Sequence, residues 1–238
     1  MIVMFGRWMR RAGCGLALGC GFIAAGPGGC ASSGTTGSLQ VRSLSDRPVL
    51  LAAEFRSAVF AHDPRAETSF WLSDVPVEDL LEGRVGEGQI VHIELLWVPK
   101  AGATPMDSSA TNASIRYVVI AGGEVGVYVG AGFAEPLGPL DRSRVAISVQ
   151  DASLRLAEAT AGFRDVLGPA KLSGRFASRR DPEQARRLFV SVSQFVTDAL
   201  GESRYVRHGW SDEATALFSD PTGAPLATRL GRQRPTSP

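Results

Sequence analysis

The chain has 238 residues, 44% of them hydrophobic, and carries 25 basic and 24 acidic side chains with three histidines, a formal charge of +1. A balance this even gives no electrostatic footprint for nucleic acid. All three cysteines lie within the first thirty residues, so the body beyond them can form no internal disulfide and offers no thiolate for metal binding or nucleophilic catalysis.

Arg7, Arg10 and Arg11 precede an apolar run from Ala12 to Ala25, and small residues follow from Gly26 to Ala31. Basic, then apolar, then small is the order of a secretory signal peptide. An apolar run of about fourteen residues falls short of the roughly twenty that span a bilayer, which predicts removal of residues 1–29. Gly28 and Gly29 stand directly before Cys30, and the sequence continues CASSG. This junction resembles that of bacterial lipoproteins, whose cysteine becomes the acylated N-terminus after cleavage. Pro27 departs from the pattern, which has a branched aliphatic residue three places before the cysteine. Cys14 and Cys20 leave shorter apolar regions before them. Ordinary cleavage after Gly26 is the competing reading and would leave Cys30 a free thiol.

The resemblance implies an exported envelope protein with no cofactor, held on the lipid bilayer by acyl chains on Cys30, with other envelope proteins as further partners. Each buried methylene of such chains contributes about 0.8 kcal/mol, and two chains make anchoring stable. Ala31, rather than an aspartate, implies sorting to the outer membrane. Processing removes three arginines and no acids, leaving 22 basic against 24 acidic residues, a net −2. Residues 32–47, SSGTTGSLQVRSLSDR, read as a flexible tether, so that residues 30–47 form the acylated terminus and linker.

Residues 48–201 make one domain of ordinary size. Period-two alternation predicts strands over much of it. Phe55 to His62 and Thr68 to Ser73 flank the turn-like DPRAE, and a short helix is expected from Pro76 to Glu82, closed by Gly83. The stretch Gln89 to Val98 places Val91, Ile93, Leu95 and Trp97 on one face of a strand. After a loop from Pro99 to Asn112, Gly122-Gly123 between two β-branched runs signals a hairpin. Val145, Ile147 and Val149 alternate in the next strand, and Leu154 and Leu156 follow a turn expected at Asp151-Ala152. Leu172 and Phe176 share a face of the last strand, for about seven or eight strands in all.

The final element is a helix. Asp181 suits the N-cap, Pro182 the first helical position and Gln184 a capping box. Ala185, Leu188, Phe189, Val192, Phe195, Val196 and Ala199 then recur at helical spacing before Gly201. One apolar stripe must lie on a sheet. The expectation is an α+β fold, a mainly antiparallel curved sheet covered by a C-terminal amphipathic helix, with residues 202–238 a disordered tail.

Chemistry is sparse. His92 and Glu94 share a strand face as an H-x-E pair, two ligands that His62 or Asp63 could complete into a zinc site for metal-assisted hydrolysis; the plainer reading sets them on a solvent-facing strand opposite arginines. Val127 to Pro136 carries three spaced glycines, but Glu135 and Pro136 occupy the places where a dinucleotide loop needs glycine and a helix start. There the glycines Gly126, Gly130 and Gly132 serve bulges or close approach. GWSDE around Ser211 lacks the closing glycine of a nucleophile elbow. Asn112-Ala113-Ser114 matches a glycosylation sequon by chance. The reading that follows is a non-enzymatic structural or interaction module, with a hydrophobic-ligand carrier and a His92/Glu94 hydrolase as alternatives.

Overall fold

The computed structural model describes residues 37–63, 68–99 and 111–201. In chain order these form β1 (Gly37–Ser43), β2 (Leu50–Glu54), β3 (Ser57–His62), β4 (Thr68–Ser73), α1 (Val77–Leu81), β5 (Glu87–Leu95), β6 (Ala113–Ala121), β7 (Glu124–Pro136), β8 (Arg144–Ala159), β9 (Ala170–Arg180) and α2 (Pro182–Leu200). The fold is α+β, as the patterning predicts, with nine strands in one sheet where seven or eight were expected.

The sheet closes on itself. Strands β3 to β8 pair in sequence or through α1 with antiparallel neighbours, and β9 then pairs along β8 on one edge. Its other edge is shared. Residues Ala170 to Phe176 pair with β1, and Arg179 and Arg180 pair with Val59 and Phe60 of β3, the one parallel contact among the described strands. The result is a seven-stranded ring, with the β1–β2 hairpin attached beside β9.

Alternation then sorts side chains to two faces. The inner face carries Phe60, Phe70, Leu72, Val91, Ile93, Ile115, Ile147, Leu172 and Phe176 in one buried cluster. Phe60 and Phe70 stack at 5.3 Å and Phe176 meets Phe70 edge-on at 6.2 Å. Fully burying such a side chain is worth about 1.5–3 kcal/mol, and a ring of about eight strands is just wide enough for side chains to fill it. The outer face of β3 to β7 is apolar too. Val59, Trp71, Ile90, Val118, Ile120, Val125 and Val127 are covered by Val77 and Leu80 of α1 and by Ala185, Leu188, Val192 and Val196 of α2. The caps of α2 are those the sequence predicts: the Asp181 carboxylate accepts from the Gln184 amide at 2.9 Å, and Gly201 turns left-handed at φ 75°.

Several expectations are corrected. Residues 37–43, assigned to the tether, are strand β1, held by a full ladder to β9; their alternation Leu39, Val41 was hidden in a polar, Ser-rich context. Asp151-Ala152 is no turn. Strand β8 runs straight through it for 16 residues, and Asp151 at φ 44° forms a bulge opposite β9. Trp97 does not extend the inner face of β5, because that strand ends at Leu95. The glycines of β7 do serve close approach: a Cβ on Gly126 would lie 2.3 Å from the Phe163 ring, and one on Gly130 would lie 1.7 Å from the Ser153 carbonyl oxygen.

Candidate functional site

The H-x-E pair lies on β5 with its side chains on the outer face. His92 is paired with Trp71 on one side and Arg116 on the other, and Glu94 with Ser69 and Ser114. The imidazole stacks on the Trp71 indole at 4.0 Å and 13°, and Phe189 of α2 meets the same indole edge-on at 6.2 Å. His92 is 1% exposed and Glu94 4%, so the expected solvent-facing strand is overturned: the second apolar layer supplied by α2 lies on this face. His62 belongs elsewhere. It shares β3 with the inward-facing Phe60, two residues away, and its Nδ1 sits 2.7 Å from the Thr68 hydroxyl. Period two thus puts His62 and His92 on opposite faces of the sheet, and among the described residues no three histidine, cysteine or carboxylate side chains converge on one point. What the outer row can do is structural: a guanidinium at Arg116 and a carboxylate at Glu94 stand diagonally on one face, the spacing at which opposite charges attract across a sheet.

A polar layer crosses the inner face toward the other end. The Tyr117 hydroxyl donates to Gln89 Oε1, and the Tyr128 hydroxyl donates to Asp165 Oδ1 at 2.6 Å. That same oxygen accepts from the Leu167 and Gly168 amides. Burial pushes both phenols above their ordinary range, helped at Tyr117 by the nearby Asp74 and at Tyr128 by the bond to Asp165. Both are therefore neutral donors: Tyr117 joins β6 to β5, and Tyr128 ties the β8–β9 connection to the ring. Asp74 itself accepts from the Gln89 amide at 2.6 Å, and burial raises its carboxyl above 3.8 despite that bond and the Arg56 charge.

The opposite end carries an apolar rim. Leu96, Trp97 and Val98 follow β5 and are 62%, 41% and 42% exposed, and Leu137 follows β7 at 38%. Asn112, fully buried, fixes this rim. Its Nδ2 donates to the Trp97 and Ala134 carbonyls at 3.2 and 2.8 Å, and its Oδ1 accepts from the Ala134 amide at 2.7 Å. The sequon asparagine thus has its amide fully engaged and is no acceptor for a glycan in the folded protein. The Trp97 ring lies edge-on to Phe133 at 6.4 Å.

Two clefts lie outside the ring. One, about 260 Å³, sits between α1, α2 and the β6–β7 turn and is lined by Leu80, Val85, Val125, Phe195 and Asp198; ligand pockets usually hold 300–1,000 Å³. The other is a polar hollow at the start of α2, by Asp181, Glu183, Gln184 and Arg187. No helix among the described residues is long and apolar enough to cross a membrane.

Compared with protein family models, curated proteins and solved structures, the chain matches none. Cys30, Pro27, the Ser211 segment and the tail lie outside the described residues. The arginine expected opposite the pair is Arg116, which the register sets beside His92, whereas sequence reasoning missed the structural role of Asn112, for which the sequon was a distraction. A run of Leu-Trp-Val directly before a proline-rich loop was the available sign of the rim.

Proposed function

We propose that the chain is a lipid-anchored protein of a bacterial cell envelope, probing or holding its surroundings as a non-enzymatic interaction module. The observation that carries this reading is the filled ring. Phe60, Phe70 and Phe176 meet inside it, so the space that a hydrophobic-ligand carrier needs is taken by side chains. The hydrolase alternative lacks a third ligand: His62 faces the other side of the sheet from His92, and among the described residues, Asp63 included, no three histidine, cysteine or carboxylate side chains converge on one point. What remains is a rigid body with exposed surfaces, preceded by a junction, GPGGCASSG, that resembles a lipoprotein processing site. The absence of cysteine after Cys30 supports the anchor, since a lone cysteine at such a junction has no pairing partner in the domain. Outer-membrane sorting follows from Ala31 within the same resemblance.

The test is detergent phase partitioning of the expressed protein beside a Cys30→Ala variant, with the mass of the N-terminal peptide measured. The native protein is expected in the detergent phase with acyl mass on Cys30, and the variant in water. Both proteins in the aqueous phase would leave an exported protein without an anchor.

A further inference from the structure

We propose that the rim formed by Leu96, Trp97, Val98 and Leu137 rests on the bilayer surface, so that the domain is docked on the membrane as well as tethered to it. The inference rests on the reading of Cys30 as the acylated residue, and it adds which end of the molecule faces the lipid.

Strand direction decides the end. Strand β1 runs antiparallel to β9, so Gly37, its first residue, points toward the end of the ring where β9, β3, β5 and β7 finish. One row of the sheet joins Gly37 to Phe176, Ile147 and Pro136. Three strand spacings of 4.7–4.9 Å set Gly37 about 14 Å from Pro136, and Leu137 is the next residue. Between Cys30 and Gly37 there are only seven peptide steps, which reach at most about 25 Å when fully extended. The ladder to β9 is what makes the reach so short, because it takes residues 37–43 out of the linker. An acylated Cys30 at the bilayer therefore keeps this end of the ring close to the headgroups, and this is the end that carries the four exposed apolar side chains.

The chemistry of the rim suits an interface. Tryptophan and aliphatic side chains partition into the headgroup region, where an indole keeps its N–H in water. The polar groups at this end are mixed in sign: Glu135 lies at the end of β7, Asp141 and Arg142 in its connection to β8, Arg144 at the start of β8, and Arg180 donates to the Asp141 carbonyl. Apolar contact rather than charge drives the docking, so it has little dependence on salt. The exposed apolar residues at the far end, Leu44, Leu81 and Val166, lie on separate connections away from the anchor, and Leu44 serves as the control.

The experiment uses the acylated full-length protein in vesicles of phosphatidylethanolamine and phosphatidylglycerol, with and without bromine on the acyl chains. The emission lost on replacing Trp97→Phe isolates that side chain from the buried Trp71 and from the other tryptophans. Brominated vesicles are expected to quench it by about half or more; equal emission in both vesicles overturns the proposal. In the unacylated Cys30→Ala protein, adding Leu96→Ser and Val98→Ser is expected to lower sedimentation with plain vesicles roughly threefold or more, whereas Leu44→Ser leaves it unchanged. Equal binding by the rim variant, or no binding by its parent, overturns it. So does shielding of Trp97 without vesicles together with a doubled mass in sedimentation, which would make the rim a contact between copies. Acylation is read separately from the mass of the N-terminal peptide, so a missing anchor and a rim that ignores lipid give different results.

Discussion

The Asn112 side chain makes three hydrogen bonds in the β5–β6 connection and to β7, and the two to Ala134 are buried from water. Alanine in its place strands the Ala134 amide and carbonyl in a dry environment. Each buried group left without a partner costs about 1–3 kcal/mol, so Asn112→Ala is expected to lower unfolding free energy by about 2–3 kcal/mol in urea titrations. Asp74 offers a test of sign. Burial raises its folded-state carboxyl above the ordinary 3.8, so the folded protein binds that proton more tightly than the unfolded chain does. Its contribution to stability is therefore greatest below 3.8 and is lost as pH rises through the raised folded value. Asp74→Asn keeps an acceptor for the Gln89 amide and removes the charge. Relative to wild type it is expected to be as stable or more so near about pH 7, with that advantage gone by about pH 3.5. A variant weaker near about pH 7 but not at about pH 3.5 would show that the carboxylate charge, not its oxygen, holds the loop.

At the scale of elements, β7 and α2 make opposite demands. Strand β7 needs places without side chains, among them Gly126 and Gly130, for different neighbours. Over Gly126 lies the outer edge of the Phe163 ring, which can move aside, whereas over Gly130 lies the Ser153 main-chain carbonyl, which cannot. Gly130→Ala is accordingly expected to cost about 1–3 kcal/mol more in thermal unfolding than Gly126→Ala. Helix α2 needs its first turn. Asp181 caps it, pairs with Arg179 at 2.8 Å and donates its amide to the Phe60 carbonyl. Asp181→Ala is expected to lose about 1 kcal/mol from the cap, measured by chemical denaturation.

These elements also show what could be read in advance. The end of β9 and the caps of α2 were legible because Leu172, Phe176, Asp181, Pro182 and Gly201 each report on neighbours within a few residues. Asp151 was misleading because a bulge and a turn use the same local signal, and only the partner strand decides between them. His92 and Glu94 looked exposed because a single strand carries no record of a second layer packed on its polar-looking face. The rim was half legible: Trp97 was noticed, but its face was wrong because the strand stops two residues earlier.

For the whole molecule, protection should follow the ring. Strand β2 pairs only with β1 and is five residues long, while β5, β6 and β7 are paired on both edges and covered on both faces. Hydrogen exchange is expected to release the β2 amides first, and those of β5 to β7 only on global unfolding. Slow release from β2 as well would mean that the hairpin and the ring open as one unit.

Strand β9 joins β1, β3 and β8, and α2 follows it directly. The first and third strands made therefore wait for the ninth, and the cover for the outer face comes later still. A chain cut short at any point before Arg180 lacks its closure, so neither face is sealed until nearly all of the domain has been delivered. Were the chain exported as proposed, late closure would be an advantage, because a chain that cannot latch early can still be threaded through a narrow translocation channel.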